Sequence, residues 1–225
     1  MNRLALLDEL AARIANLPHT HPLRVAVDGV DASGKTTLAD ELAHALTAYG
    51  RPVIRASIDG FHRPRADRYR HGADSPDSYY LDAFDYPAVR TALLLPLGPG
   101  GTRRYRRAIF DYRRDTPLAS DEELAPADAI LVMDGVFLLR PELSDCWDYR
   151  IFVDAPFEVT LARAVQRDVA LFGSPAAVEA RYQQRYIPAQ RRYLQEVHPR
   201  ERANAVVLNT EPSNSEMFIQ HVHLP

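Results

Sequence analysis

Residues 23–37 read Leu-Arg-Val-Ala-Val-Asp-Gly-Val-Asp-Ala-Ser-Gly-Lys-Thr-Thr. Leu23–Asp28 is a short, β-branched apolar run between Pro22 and Gly29, which predicts a buried strand. Thr36–Tyr49 carries Leu38, Leu42 and Leu46 at helical spacing and stops at Gly50, which predicts a helix. Gly29-x-x-x-x-Gly34-Lys35-Thr36 lies between them, a strand–loop–helix phosphate cradle. Its glycines let the backbone turn N–H groups inward around an anion. The new helix adds the positive end of its dipole. Lys35 supplies a compact charge for the β and γ phosphates, and Thr36 a hydroxyl for Mg²⁺. The expected nucleotide-binding set is Gly29, Asp31, Ala32, Ser33, Gly34, Lys35, Thr36 and Thr37.

Lys35 is the only lysine of the 225 residues, so 26 of the 27 basic side chains are arginine. A GC-rich genome explains the arginines but not where lysine survives. A phosphate cradle suits a point charge on a flexible stem better than a broad planar fork. The net charge of −3 excludes a global basic field for nucleic acid. Cys146 is alone, so no internal disulfide forms, and no Cys/His spacing reads as zinc. No apolar run approaches the roughly 18 residues of a membrane span. Residues 2–17 read as an amphipathic helix rather than a signal peptide. The expectation is a cytoplasmic protein of one domain over 1–225.

Further strands are predicted at 52–58, 129–133, 150–154 and 205–208, and Tyr105–Phe110 is a weaker candidate. Helices are predicted over 86–95, 158–169 and 174–197, the last with a break near Pro188. Residues 63–82 read as an ordered loop or short helices. Alternating strands and helices imply an α/β fold with a mainly parallel sheet covered on both faces.

Two acidic residues follow strands. Asp134 ends the AILVM strand before Gly135 and is placed to hold Mg²⁺ directly or through water. Asp59 ends the strand at 52–58, where ligands gather in open α/β sheets, and can accept a proton from an attacking alcohol. A turn Asp before Gly is the plainer reading of each.

The segments GVDASGKTT (29–37), SIDGFHR (57–63), FDYP (84–87), FDY (110–112), ILVMDGVF (130–137), IFVDAPFEVTLARAVQRD (151–168) and RYQQRYIPAQRRYL (181–194) carry a family pattern. In order and spacing they resemble the uridine kinase and phosphoribulokinase-like family of P-loop small-molecule kinases. The resemblance spans most of 23–208 and leaves residues 1–20 outside. It implies a three-layer α/β/α P-loop fold with a helical lid near 168–180, using ATP and Mg²⁺. It implies Asp59 as general base, Asp85 on ribose hydroxyls, Asp134 in place of the usual acidic Glu, and Arg163 and Arg167 as lid-helix cations. Nucleoside kinases of the family carry a Tyr and a His near the pyrimidine ring, where this chain has Phe110 and Asp115. His62 stands where uridine kinases usually have Tyr. No Arg falls between 168 and 180.

The expected reaction is transfer of the ATP γ-phosphoryl group to a primary alcohol. Lys35, Arg163 and Arg167 would hold the developing charge, although the two arginines also fit a solvated helix face. The expected acceptor is a pyrimidine ribonucleoside, with pantothenate, a sugar phosphate, glycerate or nicotinamide riboside as alternatives. A nucleotide-dependent switch is a third reading. The expected acceptor-binding residues are Asp59, His62, Asp85, Phe110 and Asp115. The expected partner is a small molecule, with no nucleic acid or membrane, and a homo-oligomer is compatible with the sequence.

Overall fold

Strand β1 (Leu23–Gly29) is buried along its whole length. Its side chains alternate between two layers, as a strand's pleat requires. Val25 and Val27 pack with Leu38 and Leu42 of α2 (Lys35–Thr47) and with Leu6 and Leu10 of α1 (Arg3–Ala15). Ala26 joins the opposite layer with Phe61, Phe84, Phe137 and Tyr193. The structure is a computed structural model that describes residues 3–119, 121–211 and 216–219.

Around β1 run β2 (Val53–Ser57), β3 (Ile130–Gly135), β4 (Tyr149–Asp154), β5 (Ala205–Leu208) and β6 (Glu216–Ile219). Their order is β6-β5-β4-β1-β3-β2. Five strands are parallel, and β6 closes one edge antiparallel to β5. Helices cover both faces, the three-layer α/β arrangement expected. Strand β6 was not expected, because a four-residue strand carries too little sequence pattern. β1 lies between β3 and β4, so the loops after β1 and β3 open side by side at the carboxyl ends of the strands. Among the described residues no helix is long and apolar enough to cross a membrane.

Residues 63–82 contain a single turn at Arg65–Arg68 and the helix α3 (Pro76–Asp82). The strand expected at 105–110 is instead two short ribbons. Arg104–Tyr105 pairs with Glu123–Leu124, and Phe110–Asp111 pairs with Thr116–Pro117. Between them the backbone bonds elsewhere, Arg106 N to Ala92 O and Ile109 N to Gly60 O, both at 2.8 Å. Helix α4 (Phe157–Phe172) ends on Gly173. Helix α5 (Pro175–Arg181) then runs through a wider π turn at Tyr182–Tyr186 into α6 (Ile187–Val197). Pro188 therefore does not break the stretch. It lacks the N–H that an α-helix would aim at the Gln184 carbonyl, and the wider turn absorbs the missing bond.

Candidate active site

The phosphate loop owes its shape to positive-φ residues and to distant clamps. Ala32 and Gly34 have φ of 58° and 94°. Asn209, just after β5, donates its side-chain amide to Ser33 O at 2.7 Å. A Cβ on Gly34 would lie 2.3 Å from that amide nitrogen. Gly34→Ala therefore combines a left-handed strain with a clash, a loss of roughly 1–3 kcal/mol. Thermal unfolding and nucleotide affinity measure it, and unchanged values of both would contradict this account of the loop. Asp31 is held from two other helices: its Oδ2 accepts from Tyr79 OH at 2.8 Å and Gln190 Nε2 at 2.6 Å. Lys35 Nζ donates to Val30 O at 3.3 Å and lies 3.8 Å from Asp31 Oδ1.

Thr36 Oγ1 donates to Asp134 Oδ2 at 2.6 Å. The loop's hydroxyl and the carboxylate at the end of β3 thus share one point in space. Both are hard oxygen donors, and Mg²⁺ characteristically takes one or two protein oxygens with phosphates and waters completing its shell. The pair fits that ion. Asp134 Oδ1 is engaged by Arg55 at 3.0 Å, and Arg55 also bonds Asp40 at 2.8 Å. Arg55 was not anticipated. Its only signal is a basic side chain at an alternate position of β2, close to the strand's carboxyl end.

Asp59 lies in the 3₁₀ turn Ile58–Phe61 that follows β2. Its side chain is 56% exposed, and Oδ1 is 3.5 Å from His62 Nε2. Partial burial pushes the carboxyl's pKa up, but His62, Lys35 and Arg167 outweigh it and hold the group below its ordinary value. His62 has little freedom. Its Nδ1 is 3.0 Å from Ala83 O, and its ring stacks on Phe84 at 4.5 Å and leans on Tyr112 at 4.8 Å. A carbonyl faces one ring nitrogen and a carboxylate the other. Asp85 N donates to Phe61 O at 2.8 Å, tying it to the Asp59 turn, while Asp85 Oδ1 caps Ala88 N at 2.9 Å.

The remaining expected site residues are engaged as follows. Phe110 is buried in its ribbon. Asp115 accepts from Arg65 N at 2.8 Å and Arg68 Nη2 at 3.1 Å. Arg163 and Arg167 share α4 but diverge. Arg163 donates to the carbonyls of Asn209 and Thr210, both at 2.8 Å. Arg167 grips Asp168 at 2.7 and 2.9 Å and reaches Tyr182 OH at 3.1 Å. The hydrogen bonds that Arg167 donates to Asp168 raise its pKa further.

The family profile described as "Phosphoribulokinase / Uridine kinase family" matches residues 25–214. The chain belongs to this family. A uridine kinase of Leuconostoc citreum is 28% identical over 214 residues, covering 88% of this chain and 97% of the relative. Uridine-cytidine kinase B of Dictyostelium discoideum is 27% identical over 216 residues, covering 92% and 84%. Among solved structures, a possible uridine kinase from Bacillus stearothermophilus superposes with a TM-score of 0.71 at 25% identity, covering 90% of this chain and 97% of that one. A putative fructose transport system kinase from Silicibacter superposes equally well, with a TM-score of 0.71 at 27% identity over 87% and 95%.

One group in this P-loop kinase was missed from sequence. Asp28, at the end of β1, is completely buried. It accepts from Tyr193 OH on α6 and from Leu138 N at 3.3 Å. Burial outweighs Tyr193, the Gly29 and Leu138 amides and Lys35, and pushes its pKa from 3.8 up to about 6. The folded state thus holds this proton more tightly than the unfolded chain. Its contribution is full below 3.8 and is lost as pH rises through about 6, a change of about 3 kcal/mol. Asp28→Asn should flatten that part of the stability profile. Thermal unfolding on both sides of the window checks it, and equal pH slopes in variant and wild type would count against it.

Proposed function

We propose that this P-loop kinase transfers the γ-phosphoryl group of ATP to the primary alcohol of a small molecule. The observation that carries the reading is Asp59. It is a half-exposed carboxylate at a strand's carboxyl end, kept ionised by His62, Lys35 and Arg167. Asp59 orients the acceptor hydroxyl and takes its proton late in the transfer. Lys35 and the Gly29–Thr37 backbone hold the phosphates, and Thr36 and Asp134 are the residues for Mg²⁺. That ion would neutralise charge on the phosphate oxygens when bound. Arg167 adds charge from α4, and the turn from α4 into α5 acts as the lid that excludes water. Arg163, tied to the 209–210 carbonyls, steadies the nucleotide side of α4.

The uridine and uridine–cytidine kinase relatives make a pyrimidine ribonucleoside the first acceptor to test. Asp85, tied to the Asp59 turn, is the residue for its ribose hydroxyls. A second reading, another small alcohol, is favoured by Asp115, whose carboxylate is committed to Arg65 and Arg68, and by Phe110, which has no phenol. A coupled ADP-release assay over ribonucleosides, sugar phosphates, glycerate, pantothenate and nicotinamide riboside separates the two. No turnover above the ATP-only rate with any alcohol would sink the kinase reading.

A further inference from the structure

The geometry points to an anion subsite beside Tyr69 that receives a phosphate or carboxylate carried by the acceptor alcohol. The attachment of that anion to the acceptor rests on the kinase reading; the subsite itself does not. Four guanidinium groups surround the Tyr69 ring. Arg185 is 4.7 Å from its centroid, Arg65 5.6 Å, and Arg68 and Arg181 5.7 Å each. Only two carboxylates answer them among the described residues: Asp115 on Arg68 at 3.1 Å and Asp74 on Arg181 at 2.6 Å. Among the described residues the Arg65 and Arg185 side chains have no carboxylate in ion-pair range.

Arg185 is the sharpest case. It is 2% exposed, and its charge is met by the carbonyls of Ala73, Ser75 and Arg68 at 2.9, 3.0 and 3.2 Å and by the faces of Tyr69, Tyr79 and Tyr186, with no carboxylate in ion-pair range among the described residues. Burial lowers its pKa, which means the cation is held there against desolvation. Among the described residues, the Nε atoms of Arg68 and Arg185 are buried without hydrogen-bond partners. Buried donors without partners are rare and call for an explanation. A surplus of guanidinium charge, with Arg65 and Arg181 on the cavity wall, is the donor chemistry that binds phosphate or carboxylate oxygens.

The cluster borders a cavity of about 560 Å³ lined by Arg65, Ala66, Tyr69, Ala73, Asp115 and Arg181. That volume suits a small phosphorylated or carboxylated alcohol. A relay of contacts links the arginine cluster to the base. Asp59 meets His62 at 3.5 Å, His62 meets Tyr112 at 4.8 Å, and Arg68 reaches Tyr112 O at 3.4 Å. Arg65 follows His62 by three positions, and Asp115 follows Tyr112 by three. Under this assignment an acceptor with its hydroxyl at Asp59 spans His62 and Tyr112 to bring its far end to the arginines. A neutral nucleoside would leave the surplus charge unanswered, whereas a phosphate dianion neutralises it.

The direct test is calorimetric titration with inorganic phosphate while a non-hydrolysable ATP analogue and Mg²⁺ fill the phosphate loop. Saturable binding should persist and weaken by about tenfold or more in Arg181→Gln and in Arg65→Gln, an exposed position whose replacement leaves the fold intact. Loss of all phosphate binding once the loop is filled, or equal affinity in both variants, overturns the subsite. Turnover then tests the attachment. Anionic alcohols should exceed their neutral counterparts about tenfold or more in kcat/KM, phosphate should compete with the acceptor, and Arg181→Gln should raise KM far more than it lowers kcat. Equal use of neutral nucleosides without competition by phosphate overturns the acceptor assignment while the kinase reading stands. Arginine-dependent phosphate binding with no alcohol turned over would instead fell the kinase reading and leave the subsite.

Discussion

Lys35→Ala lowers kcat/KM for phosphoryl transfer by at least about 10²-fold, and folding survives. Lys35 opens α2 and is largely buried, so its ammonium is poorly shared with water. Its neighbours are the Val30 carbonyl and, at 3.8 Å, the Asp31 carboxylate. Asp31 is already claimed by Tyr79 and Gln190, which leaves the ammonium free to follow a phosphate. Removing a preorganised charge from such a site costs roughly 3–4 kcal/mol of transition-state stabilisation. Lys35→Arg recovers little of it, because the broad fork cannot fit a loop whose Gly34 Cβ position is already filled by the Asn209 amide. Coupled ADP release with the turned-over acceptor measures both variants. Activity within about threefold of wild type in Lys35→Ala would remove the loop from the chemistry.

Asp59→Asn lowers kcat by about 10²–10⁴-fold, the range for losing a general base, while ATP affinity is unchanged. The amide keeps the size of the carboxyl but cannot take a proton, and Asp59 contacts none of the residues that shape the phosphate loop. Loss of ATP affinity together with turnover would contradict the separation of donor and acceptor sides. It would also revive a nucleotide-dependent switch. The pH profile carries a sign. Since the Asp59 pKa lies below 3.8, the base stays ionised down to that region and loses its proton-accepting form only as pH falls further. His62→Gln removes a hydrogen bond and a charge that favour the carboxylate, so the acid limb of kcat/KM shifts to higher pH. An unmoved limb would show that His62 does not tune the base.

The phosphate loop was legible because its amides, lysine and hydroxyl come from one uninterrupted segment. The parallel sheet was legible because fully buried strands read as continuous apolar runs. The clamps on the loop were not. Gln190 and Asp31 are 159 positions apart and Asn209 and Ser33 are 176, and nothing local in any of them signals its partner. Arg55 on Asp134 and Tyr193 on Asp28 escaped for the same reason. Asp115 was read through family resemblance as lining the acceptor. The structure shows what local pattern could not, that the turn at Arg65–Arg68 comes up beside it and takes its carboxylate.

By itself the sequence determined the phosphate loop of this protein, with its single lysine and its hydroxyl, and the acidic residues at two strand ends. Those functions depend on short-range order, since a strand, a glycine-rich turn and a helix N-terminus assemble wherever that spacing occurs. The tertiary structure alone decided the arginine cluster beside Tyr69. Arg65, Arg68, Arg181 and Arg185 come from two segments more than a hundred residues apart. Along the chain they look like ordinary surface arginines. Only packing brings them around one tyrosine with too few carboxylates, because charge balance belongs to neighbours in space rather than in sequence.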